Sequence, residues 1–164
     1  MIKILSRSPE QTAQIGAATC GFLRGGCAVA LIGELGAGKT VFVQGVASRL
    51  GYTGSVTSPT FALVHEYTTD PKLFHLDCFR LRSKKEIISF GIEEYQHDDS
   101  ILIVEWADLI SDYYYPWCWR VQFAFGWDTL DERIIQIDQI GQHDNPAVEN
   151  HLLENLTALG VSIR

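Results

Sequence analysis

The octapeptide Gly33-Glu34-Leu35-Gly36-Ala37-Gly38-Lys39-Thr40 constrains this chain more than any other feature. It fits G-x-x-x-x-G-K-[ST], the phosphate-binding loop. Before it runs Cys27-Ala-Val-Ala-Leu-Ile32, wholly apolar and bounded by glycines, as a strand buried on both faces would be. After it Phe42, Val43, Val46, Ala47 and Leu50 recur at helical spacing, with Gly51 as the stop. The chemistry needs strand, loop and helix in that order. Glycines let backbone N–H groups turn inward around phosphates, and the helix N-terminus adds its positive dipole. Lys39 reaches the β- and γ-phosphates, and Thr40 offers a hydroxyl to Mg²⁺. Glu34, Leu35, Gly36, Ala37, Gly38, Lys39 and Thr40 are therefore candidate nucleotide-binding residues.

The rest of the chain reads as α/β. Ser8-Pro9-Glu10-Gln11 is a helix start, with Ser8 as cap, Pro9 at the first helical position and Gln11 placed to complete a capping box. Ala13, Ile15, Ala17, Ala18 and Phe22 follow, and Gly25-Gly26 reads as the stop. Strands are expected at Phe61–Tyr67, Lys72–Cys78 and Ile101–Val104, and a short helix at Ser83–Phe90. Trp117, Trp119, Val121, Phe123 and Phe125 alternate with other residues at a period of two, a strand with one packed face. Gly126–Asp131 turns it into a strand at Arg133–Ile140. Asn145-Pro146 opens a last helix with Val148, Leu152, Leu156 and Leu159 on one face. The expected architecture is a three-layer P-loop NTPase fold. Its central sheet is mixed and mostly parallel, with antiparallel edge strands. At 164 residues, with neither linker nor repeat, residues 1–164 form one expected domain.

Composition narrows the function. Hydrophobic residues at 46% and charged residues at 20% describe an ordinary globular chain. A net charge of −7 argues against gripping a nucleic-acid backbone by charge alone. No apolar run approaches a membrane span, and with Ser-Arg-Ser-Pro-Glu directly after Met1–Leu5 no signal peptide is expected. Cys20, Cys27, Cys78 and Cys118 lack C-x-x-C spacing and read as reduced thiols of a cytoplasmic protein.

A phosphate loop needs carboxylates at the ends of neighbouring strands. Two are available: Glu105 after Ile101-Leu-Ile-Val104, and Asp77 after Leu73-Phe-His-Leu76. One belongs near Mg²⁺ and one near the attacking water or acceptor, and the residues alone leave the two roles open. His75 shares a strand face with Asp77 and reads as structural or as its supporting partner. No Asn is followed by Lys, so the N-K-x-D guanine signature is absent and ATP is favoured. A small-molecule kinase is the alternative reading, with Asp77 as base and Arg80 and Arg82 clamping phosphates. A nucleotide-gated binding module is the third.

Further motifs follow in order: Ser58-Pro59-Thr60-Phe61-x-Leu63-Val64-x-x-Tyr67, His75-x-Asp77-x-Phe79-Arg80-Leu81, Gly91-Ile92-Glu93-Glu94-Tyr95 and Val104-Glu105-Trp106. With the phosphate loop as G-x-L-G-A-G-K-T, these resemble the bacterial TsaE (YjeE) family from about Ser8 to Arg133. That family comprises small ATPases needed for tRNA threonylcarbamoyladenosine biosynthesis. The resemblance implies a cytoplasmic Mg²⁺-dependent ATPase, slow alone, that serves the TsaD–TsaB complex. That complex transfers threonylcarbamoyl to N6 of adenosine 37, so tRNA is reached only indirectly. By position, Lys39 and Thr40 hold phosphates and Mg²⁺. Ser58 and Thr60 belong to a switch-like loop facing the γ-phosphate. Asp77 and Glu105 are the two essential acids, for metal coordination and water activation. Trp106 matches an aromatic tied to nucleotide or partner contact, and Arg80 is a candidate for steadying transition-state charge. Glu34, Val41, Gln44, Phe79 and Ala107 depart from the usual Asp, Thr, Arg, Tyr and Pro.

From Glu86 to Trp119 the chain has eight acids and no Lys or Arg, directly after Arg80, Arg82, Lys84 and Lys85. Such a bipolar surface suits a protein partner better than direct tRNA contact. The purified chain is accordingly expected to leave tRNA free in a filter-binding assay at physiological salt; tight retention would overturn this reading of the charge.

Overall fold

In the computed structural model the chain builds an eight-stranded sheet covered by helices on both faces; residues 1–81, 83–111, 117–140 and 145–163 are described. The elements in order are β1 (Ile2–Ser6), α1 (Pro9–Cys20), β2 (Ala28–Gly33), α2 (Lys39–Arg49), β3 (Val64–Tyr67) and β4 (Lys72–Asp77). Then come α3 (Lys84–Phe90), a 3-10 turn (Ile92–Tyr95), β5 (Ser100–Glu105) and a second 3-10 turn (Ala107–Ile110). β6 (Trp117–Phe125), β7 (Arg133–Gln139), α4 (Pro146–Ala158) and β8 (Ser162–Ile163) complete the chain.

The strand order is β3-β4-β5-β2-β6-β7-β1-β8. β4, β5, β2 and β6 are mutually parallel, and the apolar phosphate-loop strand lies inside that block. β3 adds antiparallel at one flank, and β7, β1 and β8 add antiparallel at the other. The mixed sheet matches the expectation, with antiparallel strands at both of its edges. β1 was not foreseen because its partner β7 lies about 130 residues away, and three apolar residues carry little signal by themselves.

Alternate residues of the central strands face opposite layers. Val29, Leu31, Ile101 and Ile103 pack under α1, α2 and α4 with Ile15, Phe42, Val46, Leu152 and Leu156. Ala28, Ala30, Leu102 and Val104 pack on the other face with Ile87, Ile92 and Ile110. A strand buried on both faces has to be apolar throughout, as these are. β6 departs from strict alternation: its register with β2 shifts at Ala28/Val29. Trp117 therefore enters one core, while Cys118 and Trp119 enter the other.

The strand expected from Phe61 begins only at Val64. Leu63 has a left-handed backbone, φ 67, and its N–H donates to the Pro59 carbonyl, so residues 59–63 turn. Ser8 caps α1 through the Gln11 N–H, but Gln11 Oε1 accepts from the Arg7 N–H, one residue further back than a capping box requires. α1 ends at Cys20, short of Gly25-Gly26.

α1 and α2 lie close because each offers a glycine to the other. A Cβ on Gly45 would sit 1.8 Å from the Ala13 carbonyl oxygen, and one on Gly16 would sit 2.2 Å from that of Phe42. The close approach fixes where α2, and hence the loop that starts it, stands over the sheet. Gly45→Ala is expected to lower unfolding stability by about 3 kcal/mol, since backbone and not a flexible side chain blocks the methyl. Urea denaturation checks this.

Candidate phosphate-loop site

The parallel strands deliver their last residues to one edge. In that register Leu31 lies beside Glu105, and Glu105 lies beside Asp77. The chain leaves β2 through the glycine loop, where Gly36 (φ 77) and Gly38 (φ 102) take conformations that side chains strain to adopt. α2 then starts at Lys39 with its free N–H groups facing the loop. A cavity of about 320 Å³ results, lined by Leu35–Val41 of the loop, Ser58, Thr60, Asp77, Phe79, Glu105 and Trp106.

Lys39 is folded back onto its own loop. Its Nζ donates to the carbonyls of Gly33 (2.6 Å) and Glu34 (2.9 Å) and stands 4.1 Å from the centre of the Trp106 ring. Burial pushes the Lys39 ammonium below the usual lysine value, and the carboxylates of Glu105, Asp77 and Asp108 oppose that shift. Trp106 has a left-handed backbone, φ 58, at the turn out of β5. Such a conformation costs about 1–2 kcal/mol for a side-chain-bearing residue and persists where the surroundings enforce it. Here it carries the indole onto Lys39 and against Phe79, with ring centres 4.9 Å apart.

The two acids have different neighbours. Glu105 Oε1 accepts from the Thr40 hydroxyl at 2.7 Å and meets His75 Nε2 at 2.9 Å. His75 is wholly buried, and its Nδ1 has no partner among the described residues. A proton on Nε2 suits this pairing, because a carboxylate oxygen accepts and does not donate. His75 thus supports Glu105 and not Asp77: it precedes Asp77 by two residues on β4, and its ring reaches diagonally to Glu105 on the paired strand β5. Asp77 is taken up by the loop that carries Ser58 and Thr60. Its Oδ2 accepts from the hydroxyls of Ser58 and Thr60, and its Oδ1 accepts from the Phe79 N–H. The Asp77 N–H donates to the Leu63 carbonyl, and Gln44 Nε2 donates to the Val56 carbonyl at 3.0 Å. Residues 56–63 are thereby tied to β4 and α2.

Eleven of the sequence-derived candidates therefore line one cavity: Leu35, Gly36, Ala37, Gly38, Lys39, Thr40, Ser58, Thr60, Asp77, Glu105 and Trp106. Glu34 contributes its carbonyl to Lys39 and is not among the lining residues. Arg80 is exposed, with its guanidinium 5.4 Å from the centre of the Phe61 ring, away from the cavity wall. Arg82, and Asp112 of the acidic run, lie outside the described residues. Val41 and Phe79 line the cavity although sequence marked them only as departures. All four cysteines are buried and outside any disulfide, and burial pushes the thiols of Cys20 and Cys78 up to about 11 and 12. Among the described residues no helix is long and apolar enough to cross a membrane.

A glycine loop between a buried parallel strand and a helix, with acids on the adjoining strand ends, defines a P-loop NTPase fold. A family model described as "Threonylcarbamoyl adenosine biosynthesis protein TsaE" matches residues 6–134. The tRNA threonylcarbamoyladenosine biosynthesis protein TsaE of Bacillus subtilis is 41% identical over 106 residues, which is 64% of this chain and 66% of that protein. Its Treponema pallidum counterpart is 36% identical over 110 residues, 67% of this chain and 82% of the relative. The crystal structure of Bacillus subtilis YdiB superposes with a TM-score of 0.70 at 31% identity, covering 98% of both chains. The chain belongs to the TsaE family of tRNA threonylcarbamoyladenosine biosynthesis.

Asp77→Asn replaces one oxygen acceptor with a donor that faces two hydroxyls. It is expected to speed amide hydrogen exchange in residues 58–63 by about tenfold while the core strands stay protected. Exchange read by mass spectrometry checks this.

Proposed function

We propose that this chain is a Mg²⁺-dependent ATPase that supports tRNA threonylcarbamoyladenosine formation by acting on the TsaD–TsaB complex in the cytoplasm. The observation that carries the reading is the hydrogen bond from Thr40 to Glu105 beside the buried Lys39. It joins the last residue of the phosphate loop to a strand-end carboxylate, the arrangement from which such loops hold a metal.

The donor set fits Mg²⁺. Glu105 and Asp77 stand side by side on paired strands, both nearly buried, and Thr40 adds a hydroxyl. Hard oxygen ligands beside two carboxylates favour a hard divalent cation. Thr40 and Glu105 would hold the ion, directly or through its waters, with Asp77 close by. When bound, Mg²⁺ supplies charge neutralisation on the phosphate oxygens. His75 keeps Glu105 Oε1 oriented toward Thr40. Lys39 exchanges its two loop carbonyls for the β- and γ-phosphates and balances charge as the terminal phosphoryl group leaves. Asp77, with Ser58 and Thr60, lies on the side of the switch-like loop and orients the water that attacks the γ-phosphorus. The bond to the β–γ bridging oxygen breaks, giving ADP and phosphate.

Hydrolysis is favoured over transfer to a metabolite. The kinase alternative asks Asp77 to accept a substrate proton and Arg80 to clamp phosphate. Arg80 is exposed with its guanidinium over the Phe61 ring, outside the cavity lining.

Lys39→Ala is expected to abolish ATP binding in calorimetry. Glu105→Gln is expected to keep binding and slow phosphate release by about 100-fold. Release by the wild-type chain is expected to rise several-fold when TsaD–TsaB is added. Normal turnover in both variants would overturn the ATPase reading; indifference to the complex would overturn the pathway role.

A further inference from the structure

Arg133 opens β7 at the end of the β6–β7 hairpin, outside the phosphate cavity, yet it grips the phosphate loop. Its Nη2 donates to the Gly36 carbonyl at 3.0 Å. Its Nη1 donates to the carbonyls of Leu130 (2.6 Å) and Glu132 (2.8 Å) in the hairpin. The guanidinium lies 4.8 Å from the centre of the Phe125 ring across that hairpin. Among the described residues it forms no ion pair, so its charge is left uncompensated beside the loop.

The hairpin that presents it is itself braced. The Gly126 N–H donates to the Glu132 carbonyl at 2.8 Å, and the Asp128 N–H donates to Glu132 Oε2 at 3.1 Å. The loop peptide that Arg133 grips is held at its other end too. The plane joining Gly36 to Ala37 has its carbonyl on Arg133, and its N–H donates to the Glu34 carbonyl at 3.1 Å. The Arg133 stem also runs beneath the loop: a Cβ on Gly38 would lie 3.9 Å from its Cγ. Phosphate-binding loops work by aiming N–H groups inward, which turns carbonyls outward. An outward carbonyl held by a fixed guanidinium keeps that orientation before any nucleotide arrives.

We propose that Arg133 is a positioning residue for the nucleotide: it sets the Gly36–Ala37 peptide from outside and makes the β6–β7 hairpin a working part of the phosphate site. This rests on the nucleotide reading above. A planar fork is required, because the three carbonyls are spread over loop and hairpin and a lysine ammonium on its single stem does not span them.

The test is calorimetric titration with ADP in EDTA, so that metal binding does not enter, together with hydrogen exchange of residues 34–38 in the ligand-free chain. Arg133→Ala is expected to weaken ADP binding by about tenfold and to speed exchange at Ala37, and Arg133→Lys to recover part of the loss. Leu130→Ala changes only an exposed side chain, keeps the carbonyl that Arg133 uses, and is expected to bind ADP like wild type. Should Arg133→Ala fail to fold, Arg133→Lys carries the same two measurements, with a several-fold loss expected. Unchanged ADP affinity in these variants, whatever their melting temperature, overturns the inference and leaves the ATPase reading standing. A wild-type chain that binds no ADP overturns both.

Discussion

The hydrogen-bonded register of β4, β5 and β2 is the constraint on which the site depends. Parallel strands at fixed register end at one level, so Asp77 and Glu105 emerge side by side beyond the apolar core, next to the start of the phosphate loop. Two buried carboxylates a strand's width apart repel each other and lose hydration. They are tolerated because each is met by donors: Thr40 and His75 at Glu105, and Ser58, Thr60 and the Phe79 N–H at Asp77. Lys39 adds the one buried cation beside them among the described residues. Those hydrogen bonds hold both carboxylates in place at the edge of the cavity.

Around that edge the loop is held from three directions. α1 locks α2 through the Gly16 and Gly45 approaches, which leave no room for a methyl group. Gln44 and Asp77 secure the segment that carries Ser58 and Thr60. Arg133 reaches the Gly36 carbonyl from the antiparallel side of the sheet. The antiparallel strands are therefore more than edge covers, since β7 brings a charged side chain to the loop that the parallel core alone does not supply.

Three of the departures from the family's usual residues make contacts that hold the site together. Gln44 takes a structural role by bonding the Val56 carbonyl. Phe79, lacking the usual hydroxyl, still packs on Trp106 and offers its backbone N–H to Asp77. Glu34 needs only its carbonyl for Lys39.

Local chemistry in the sequence determined the phosphate loop, the helices opened by Ser8-Pro9 and Asn145-Pro146, the doubly buried strands and the pair Asp77 and Glu105. Each is written in a few consecutive residues, through φ preference, capping or hydrophobic period. Tertiary structure decided what depends on distant partners. β1 exists as a strand because β7 covers it. His75 serves Glu105 because β4 and β5 pair in one register and not another. The shift between β2 and β6 sends Trp117 and Trp119 into different cores, against a period of two that looked unbroken. Arg133 meets Gly36 across 97 residues. A long-range contact leaves no periodicity in the chain, since it is chosen by how the sheet closes and not by the residues beside it.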